Sequence, residues 1–522
     1  GLSINPKKSE AVVFTLRRQW KMKPLQLNQE TIPFKRTARY LGVTLDDKLT
    51  WNAHVEQKCM KGITLIGQSR RVVGRTWGLN PKTMLWIYKT IVRPTLAYGA
   101  LIWAPALERK TTAERMERVQ RAACLAITGA MKSTPTKAME VALDLLPLDV
   151  FLQGEAMKAG YRVKVGGFWR TRMAVSGRGL KKKGHVRWHQ EQGRKISIME
   201  MPCDKRPYVL HFGRGFQVRI QEKLEGQGRA DMIYFTDGSR REDRAGAGAI
   251  GFERRTNAVV MKESVALGKL ATVFQAEIVA IHMTAKELIR RKTEGMDVRI
   301  NSDSQAALKA LCAVKVKSQL VDETIRSLNR LAEKNQVTLH WVKGHSGVIG
   351  NEAADELARE GSGRNLTGPE PGVPVSTRTC SSEVERWTQE EHSRRWEREK
   401  GCKQSKASMP RLSRKRARDL IASGRKMIRK LCGILTGHCG LNGHLGRIGV
   451  KETTICPACE LRKETPLHYM GQCPAFAQQR ERVFGVYTVS REELNQIPLW
   501  KQAVYLKATK RLEAPKELVG ES

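Results

Sequence analysis

Four carboxylates in the middle of the chain stand where acidic side chains are expensive. Asp237 closes the run MIYFTD on the strand face of Ile233 and Phe235. Glu277 falls on the helical stripe of Phe274, Ile281 and Leu288, Asp303 comes directly after VRINS, and Asp355 sits among small residues in NEAADEL. A buried carboxylate without a partner costs several kcal/mol, so acids that point inward need partners. Divalent cations are one such partner: Mg²⁺ prefers oxygen ligands and completes its shell with substrate phosphate oxygens. Two ions about 4 Å apart can activate a water and stabilise the leaving oxygen of an in-line phosphodiester displacement. Asp237, Glu277, Asp303 and Asp355 are therefore candidate ligands for two Mg²⁺ or Mn²⁺ ions.

A rival chemistry is suggested by GAGAIG at 246–251, which fits G-x-G-x-x-G. That fingerprint needs a helix directly after it to hold a pyrophosphate. Downstream stand instead the turn-like FERRTN and the β-rich AVVMKESVAL, with no helical period before residue 271. The glycines belong in a hairpin strand, and no dinucleotide is expected.

The elements that must position the acids are read from the apolar periods. Strands are expected at 231–236, across the glycines, at 259–267, 298–302 and 337–342, and helices at 271–290, 305–313, 321–333 and 351–360. Three meandering strands and then alternating helices and strands make an α/β domain with a mixed five-stranded sheet. Its run TDGS…FQAEIVAI…NSDSQAAL…HWVKGHSGVIGNEAADELA resembles the type-1 ribonuclease H domain over 229–363. The resemblance implies that the four acids are metal-binding catalytic residues. It also implies that His345, ten residues before Asp355, is the family's mobile histidine, which helps protons and product leave. The implied substrate is the RNA of an RNA–DNA hybrid, told from DNA by its 2′-hydroxyls, with the glycine strand near the RNA.

The flanks carry a second resemblance. GLSINPKKSEAVVF…ARYLGVTLDDKLTWNAHV…YKTIVRPTLAYGALIWAPA is similar to the region beyond the polymerase palm in the Pol polyproteins of non-LTR retrotransposons. This makes 1–150 the end of a reverse-transcriptase region, thumb-like and mainly helical, with helical spacing over 55–127 interrupted at Pro81 and Pro94. The parent would be an RNA-directed DNA polymerase. Asp46-Asp47 lacks the aromatic of that polymerase's aromatic-x-Asp-Asp pair and reads as a turn, so the polymerase centre is expected outside this chain. The chain opens at Gly1 within a folded pattern and reads as the C-terminal part of a longer polypeptide.

Charge points the same way. Lys and Arg number 93 against 52 Asp and Glu, a formal +41 over 522 residues, which calls for a polyanionic partner. Residues 151–228 read as a basic connecting region, whose stretch 161–200 is a linker or a backbone-contacting arm. Residues 364–430 read as a basic linker that opens on GSGRNLTGPEPGVPVS and ends in RLSRKRARDLIASGRKMIRK.

Beyond it, Cys456-x₂-Cys459-x₈-His468-x₄-Cys473 can set three thiolates and one imidazole tetrahedrally around a structural Zn²⁺, and the spacing resembles the motif that closes many of these polyproteins. The zinc-knuckle-like module, 431–484, is expected to be held by metal rather than by a core, with Arg462, Lys463 and Arg480 free to grip nucleic acid. His438, Cys439 and His444 read as unrelated surface residues, and 485–522 as a tail. Eleven scattered cysteines imply a reducing compartment, with the nucleus expected during integration, and no apolar run is long enough to span a membrane. The expected partners are an RNA–DNA hybrid, element RNA and target DNA. The alternative is a nucleic-acid-binding protein with an inactive ribonuclease H-like domain, which the presence of all four acids opposes.

Overall fold

The computed structural model describes residues 5–18, 21–72, 78–167, 185–220 and 230–513. The chain divides into two compact units: a middle unit of residues 158–174 with 189–385, and an end-to-end unit of residues 1–157 and 386–522 with 175–188.

The N-terminal part of the end-to-end unit begins with short strand pairs, among them Thr37–Tyr40 against Val43–Asp46. Within residues 11–14 only an isolated bridge forms, from Ala11 to Phe34. Asp46 is buried, and its carboxylate accepts from the backbone amides of Lys48, Thr50 and Trp51. It fixes the turn that leads into helix α1 (Asn52–Arg70). Pro81 does not interrupt a helix but starts one, with Asn80 accepting from the Thr83 amide at 2.7 Å. Pro94 also stays within a continuous helical run, because the π-turn Tyr88–Val92 takes up the change of hydrogen-bond register. Helix α2 (Lys110–Thr128) buries Met116, Val119, Ala123 and Ile127 along one stripe.

The middle unit is built on a six-stranded sheet, one strand more than expected. Strands β1 (Gln217–Arg219), β2 (Met232–Arg241), β3 (Arg244–Glu253), β4 (Val259–Gly268), β5 (Asp297–Ser302) and β6 (Gln336–Trp341) lie in the order β1-β6-β5-β2-β3-β4. The added strand, β1, comes from the expected connecting region and pairs parallel with β6. Strand β2 also runs further than expected: Asp237 is mid-strand, opposite Gly248 of β3. Helix α3 (Val273–Arg290) opens on a capping box between Thr272 and Gln275 and lays Ala276 and Ala280 against Ala245 and Ala247. Helix α4 (Ile349–Gly363) packs Ala354 and Leu357 with Ile250, Phe235 and Phe252 of β2 and β3. The glycine pattern explains itself here. A Cβ at Gly246 would lie 2.2 Å from the Ser362 amide nitrogen, and one at Gly248 would lie 2.3 Å from that of Ala358. Bare backbone on β3 is what lets α4 settle onto the sheet.

Two further stretches depart from expectation. Residues 185–200, half of the anticipated arm, hold the helix His185–Lys195 and a turn with Ile198 and Met199 buried, while 168–184 fall outside the described residues. The 364–376 segment is packed rather than free: Val373 and Val375 are buried, Val375 exchanges backbone bonds with Pro202 and Asp204, and Glu370 accepts from the Lys269 amide. Beyond it the expected linker is largely helical, with Thr377–Arg398, Lys403–Ser408 and α5 (Arg414–Ala422).

The C-terminal part of the end-to-end unit buries apolar side chains and packs on the N-terminal part, with Arg425 donating to the carbonyls of Leu79, Ala126 and Ile127. Helix α6 (Arg425–Thr436) buries Ile428, Leu431, Ile434 and Leu435, and α7 (Leu499–Thr509) buries Tyr505 and Leu506, with the Tyr505 hydroxyl donating to the Tyr469 carbonyl. The supposed tail is therefore structural as far as residue 513. Among the described residues no helix is long and apolar enough to cross a membrane.

Candidate active site and metal centre

The sheet and its two helices bring Asp237, Glu277 and Asp303 into one group, with Asp355 as a charged neighbour. Asp237 comes from β2, Glu277 from the first turns of α3, Asp303 from just beyond β5 and Asp355 from α4. Gly238 allows the closest approach, since a Cβ there would lie 2.4 Å from the Glu277 amide nitrogen. Asp303 is held by its own carbonyl, which accepts from Trp341 Nε1 at 3.0 Å. Ligand oxygens of Asp237, Glu277 and Asp303 all lie within 4.8 Å of one another. Asp355 adds its negative charge to the surroundings of Asp237 and forms an ion pair with Arg359.

The electrostatics of this cluster are those of a site short of positive charge. Burial, then Asp303 and Asp355, push Asp237 up to about 7. Burial, then Asp237 and Asp303, push Glu277 up to about 9. Asp303 is raised as well, chiefly by burial, against the opposing hydrogen bond of Asn351. Glu277 Oε2 is buried without a hydrogen-bond partner. Clustered carboxylates with an orphaned inward oxygen are a hard-oxygen donor set that divalent cations would satisfy.

His345 lies on the loop before α4 with φ of 53°, exposed, and its ring comes within 4.8 Å of ligand oxygens of Glu352 and Asp355. Two residues of this neighbourhood escaped the sequence reading, Glu352 and Asn351. The signal was available: they precede Asp355 by three and four positions on a helix and so share its face. Asn351 is buried, and its side chain counts among the causes that lower the Asp303 carboxyl.

The cysteine motif also assembles. Cys456 Sγ lies 3.8 Å from Cys473 Sγ and Cys459 Sγ lies 3.3 Å from His468 Nε2, with all four ligand atoms within 4.8 Å of one another. A tetrahedron with Zn–S bonds of about 2.3 Å has edges of about 3.8 Å, so the donor set fits zinc. The Leu461 amide holds the Cys459 thiol below its usual value. Arg480 is fully buried, not a free grip: it donates to the carbonyls of Cys473 and Tyr487. His444 and Cys439 are buried too, contrary to the surface reading, and His438 packs 4.5 Å from the His444 ring.

Comparison with known proteins matches residues 229–363 to the RNase H family model. The chain is 28% identical over 155 residues to the Retrovirus-related Pol polyprotein from type-1 retrotransposable element R1 of Nasonia vitripennis, covering 29% of this chain and 46% of that protein. It is 30% identical over 129 residues to the Probable RNA-directed DNA polymerase from transposon X-element of Drosophila melanogaster, covering 25% and 14%. The matches thus span less than half of either relative. Among solved structures, an N-terminal RNase H domain from Mycobacterium tuberculosis is 22% identical over 26% of this chain and 94% of that one, with a TM-score of 0.22. Prototype Foamy Virus Protease-Reverse Transcriptase is 23% identical over 28% and 22%, with a TM-score of 0.24. Likenesses this slight add nothing to the topology already described.

Proposed function

We infer, from the premise that residues 229–363 are an RNase H domain in a chain related to type-1 retrotransposon Pol polyproteins, that this chain hydrolyses the RNA strand of RNA–DNA hybrids. The observation that carries the reading is the cluster of buried Asp237 and Glu277 with half-buried Asp303, in which Glu277 Oε2 has no hydrogen-bond partner. Asp237, Glu277, Asp303 and Asp355 would hold two Mg²⁺ or Mn²⁺ ions, which when bound supply the charge for water activation and leaving-oxygen stabilisation. The chain's own residues do the rest. Asn351 tempers the charge cost at the Asp303 carboxylate, and Arg359 pairs with Asp355. His345, exposed on its loop, is placed to carry a proton away from the Asp355 side and let product leave.

The wider reading is that of the reverse-transcriptase parent. Element RNA and target DNA are its partners, and the Cys456–Cys459–His468–Cys473 set holds one structural Zn²⁺. Asp46 supports a turn rather than a polymerase ligand, because three backbone amides already occupy its carboxylate.

The test is substrate choice. With Mg²⁺ the purified chain should cut RNA in a hybrid and spare duplex DNA and single-stranded RNA. Hybrid binding without cleavage would favour the inactive-domain reading instead.

A further inference from the structure

Lys426, Arg429, Lys430, Lys451, Arg511 and Glu513 line an open cleft of about 710 Å³ in the end-to-end unit. The volume lies within the roughly 300–1,000 Å³ of ligand clefts, and five cations face one carboxylate across it. Lys430 and Arg511 have carboxylate partners beside the cleft. Lys430 lies 3.4 Å from Glu513, and Arg511 forms two 2.7 Å bonds to the buried carboxylate of Glu464. Lys426 and Lys451 are exposed, and among the described residues neither pairs with a carboxylate. Like charges gathered around a hollow repel one another, and a polyanion relieves that repulsion.

One wall of the cleft is aromatic and fixed. His438 lines it, and Ser133 Oγ joins His438 Nδ1 at 3.2 Å to the buried His444 Nε2 at 3.0 Å. Burial, then His444 and the guanidinium groups of Arg447 and Arg121, hold His438 down to about 4, so near neutral pH the ring is an uncharged face rather than another cation. Pro457, between Cys456 and Cys459, forms part of the rim, so the cysteine loop borders the cleft.

We propose that this cleft binds the phosphodiester backbone of a single-stranded nucleic acid, with phosphates against Lys426 and Lys451 and a base against the His438 ring. An unpaired strand is preferred over a duplex because only an unstacked base can lie on an aromatic wall inside a cleft. The proposal rests on the nucleic-acid reading of this chain but not on its hydrolase activity. RNA and DNA strands offer the same backbone, and the assay separates them.

Binding of short fluorescein-labelled single-stranded RNA and DNA of one sequence to the full chain, monitored by anisotropy over a range of salt, tests it without any cleavage. The ratio of RNA to DNA affinity for the wild type identifies the preferred strand. Lys426→Ala with Lys451→Ala should weaken binding about tenfold or more at low salt and flatten the slope of log affinity against log salt by about 1.4, at about 0.7 per lost contact. His438→Ala should weaken it about fivefold or more while leaving the slope unchanged. Lys415→Ala with Arg418→Ala, which removes the same charge from the exposed face of α5, should do much less. An unchanged slope in the first pair, or an equal loss in the α5 pair, would overturn the proposal. Failure of hybrid cleavage would leave these readings untouched.

Discussion

A buried carboxylic acid in the end-to-end unit makes the charge argument testable one residue at a time. Glu140 is buried and accepts from Gln120 Nε2 at 3.0 Å, and burial pushes it from 4.5 up to about 8. A raised carboxyl favours the folded state fully below its unfolded value, and that contribution is lost as pH rises through the folded value. Stability should therefore fall between about pH 4.5 and 8, at up to about 1.4 kcal/mol per pH unit from this group, and level off above. Glu140→Gln should remove that slope in denaturant melts taken across the window, and an unchanged slope would mean the residue is ionised in the fold. The clustered acids Asp237, Glu277 and Asp303 differ in having a remedy that Glu140 lacks, since bound cations could compensate them. Their clustering was legible in the sequence because an acid on an apolar stripe is a local anomaly. Arg480 was misread for the opposite reason: a basic residue in a basic stretch gives no sign that its guanidinium is turned inward onto carbonyls.

Elements were legible where they have a period and obscure where they do not. All five longer strands and four helices of the 229–363 domain lie within a few residues of the apolar pattern. The three-residue β1 and the ribbon Lys205–Leu210 with Lys315–Ser318 are too short or too charged to show alternation, and they exist through pairing with distant chain. The Gly/Pro-rich 364–376 segment advertises freedom, yet two valines anchor it. At this scale the glycines of β3 make a prediction. Gly248→Ala would put a Cβ 2.3 Å from backbone of α4, so the helix must lift. The expected cost is about 1–3 kcal/mol in thermal or denaturant melts, with a fall in hybrid cleavage because Asp355 moves with the helix. Full activity in Gly248→Ala would show that α4 is not held by this contact. The cysteine set predicts one equivalent of zinc by metal analysis of the full chain, lost in Cys459→Ser. Because α6 and α7 supply a core beside it, chelation should free the cysteine loop while far-UV helicity largely remains. Global unfolding on chelation would restore the metal-held reading of this part.

For the molecule as a whole, the excess of +41 predicts attraction to polyanions of any kind, and the proposed function assigns cleavage to the four acids. The two are separable, since charge would set affinity and salt dependence while the acid cluster would set cleavage. The most direct measurement is therefore the rate of RNA cleavage in an RNA–DNA hybrid with Mg²⁺, compared between wild type and single variants at matched, saturating protein. Asp237→Asn and Asp303→Asn should each lose at least about a hundredfold, since each removes a negative ligand from the site. His345→Ala should lose only about tenfold and keep the same products. Equal cleavage by wild type and Asp237→Asn would contradict the assignment of this cluster as the hydrolytic centre.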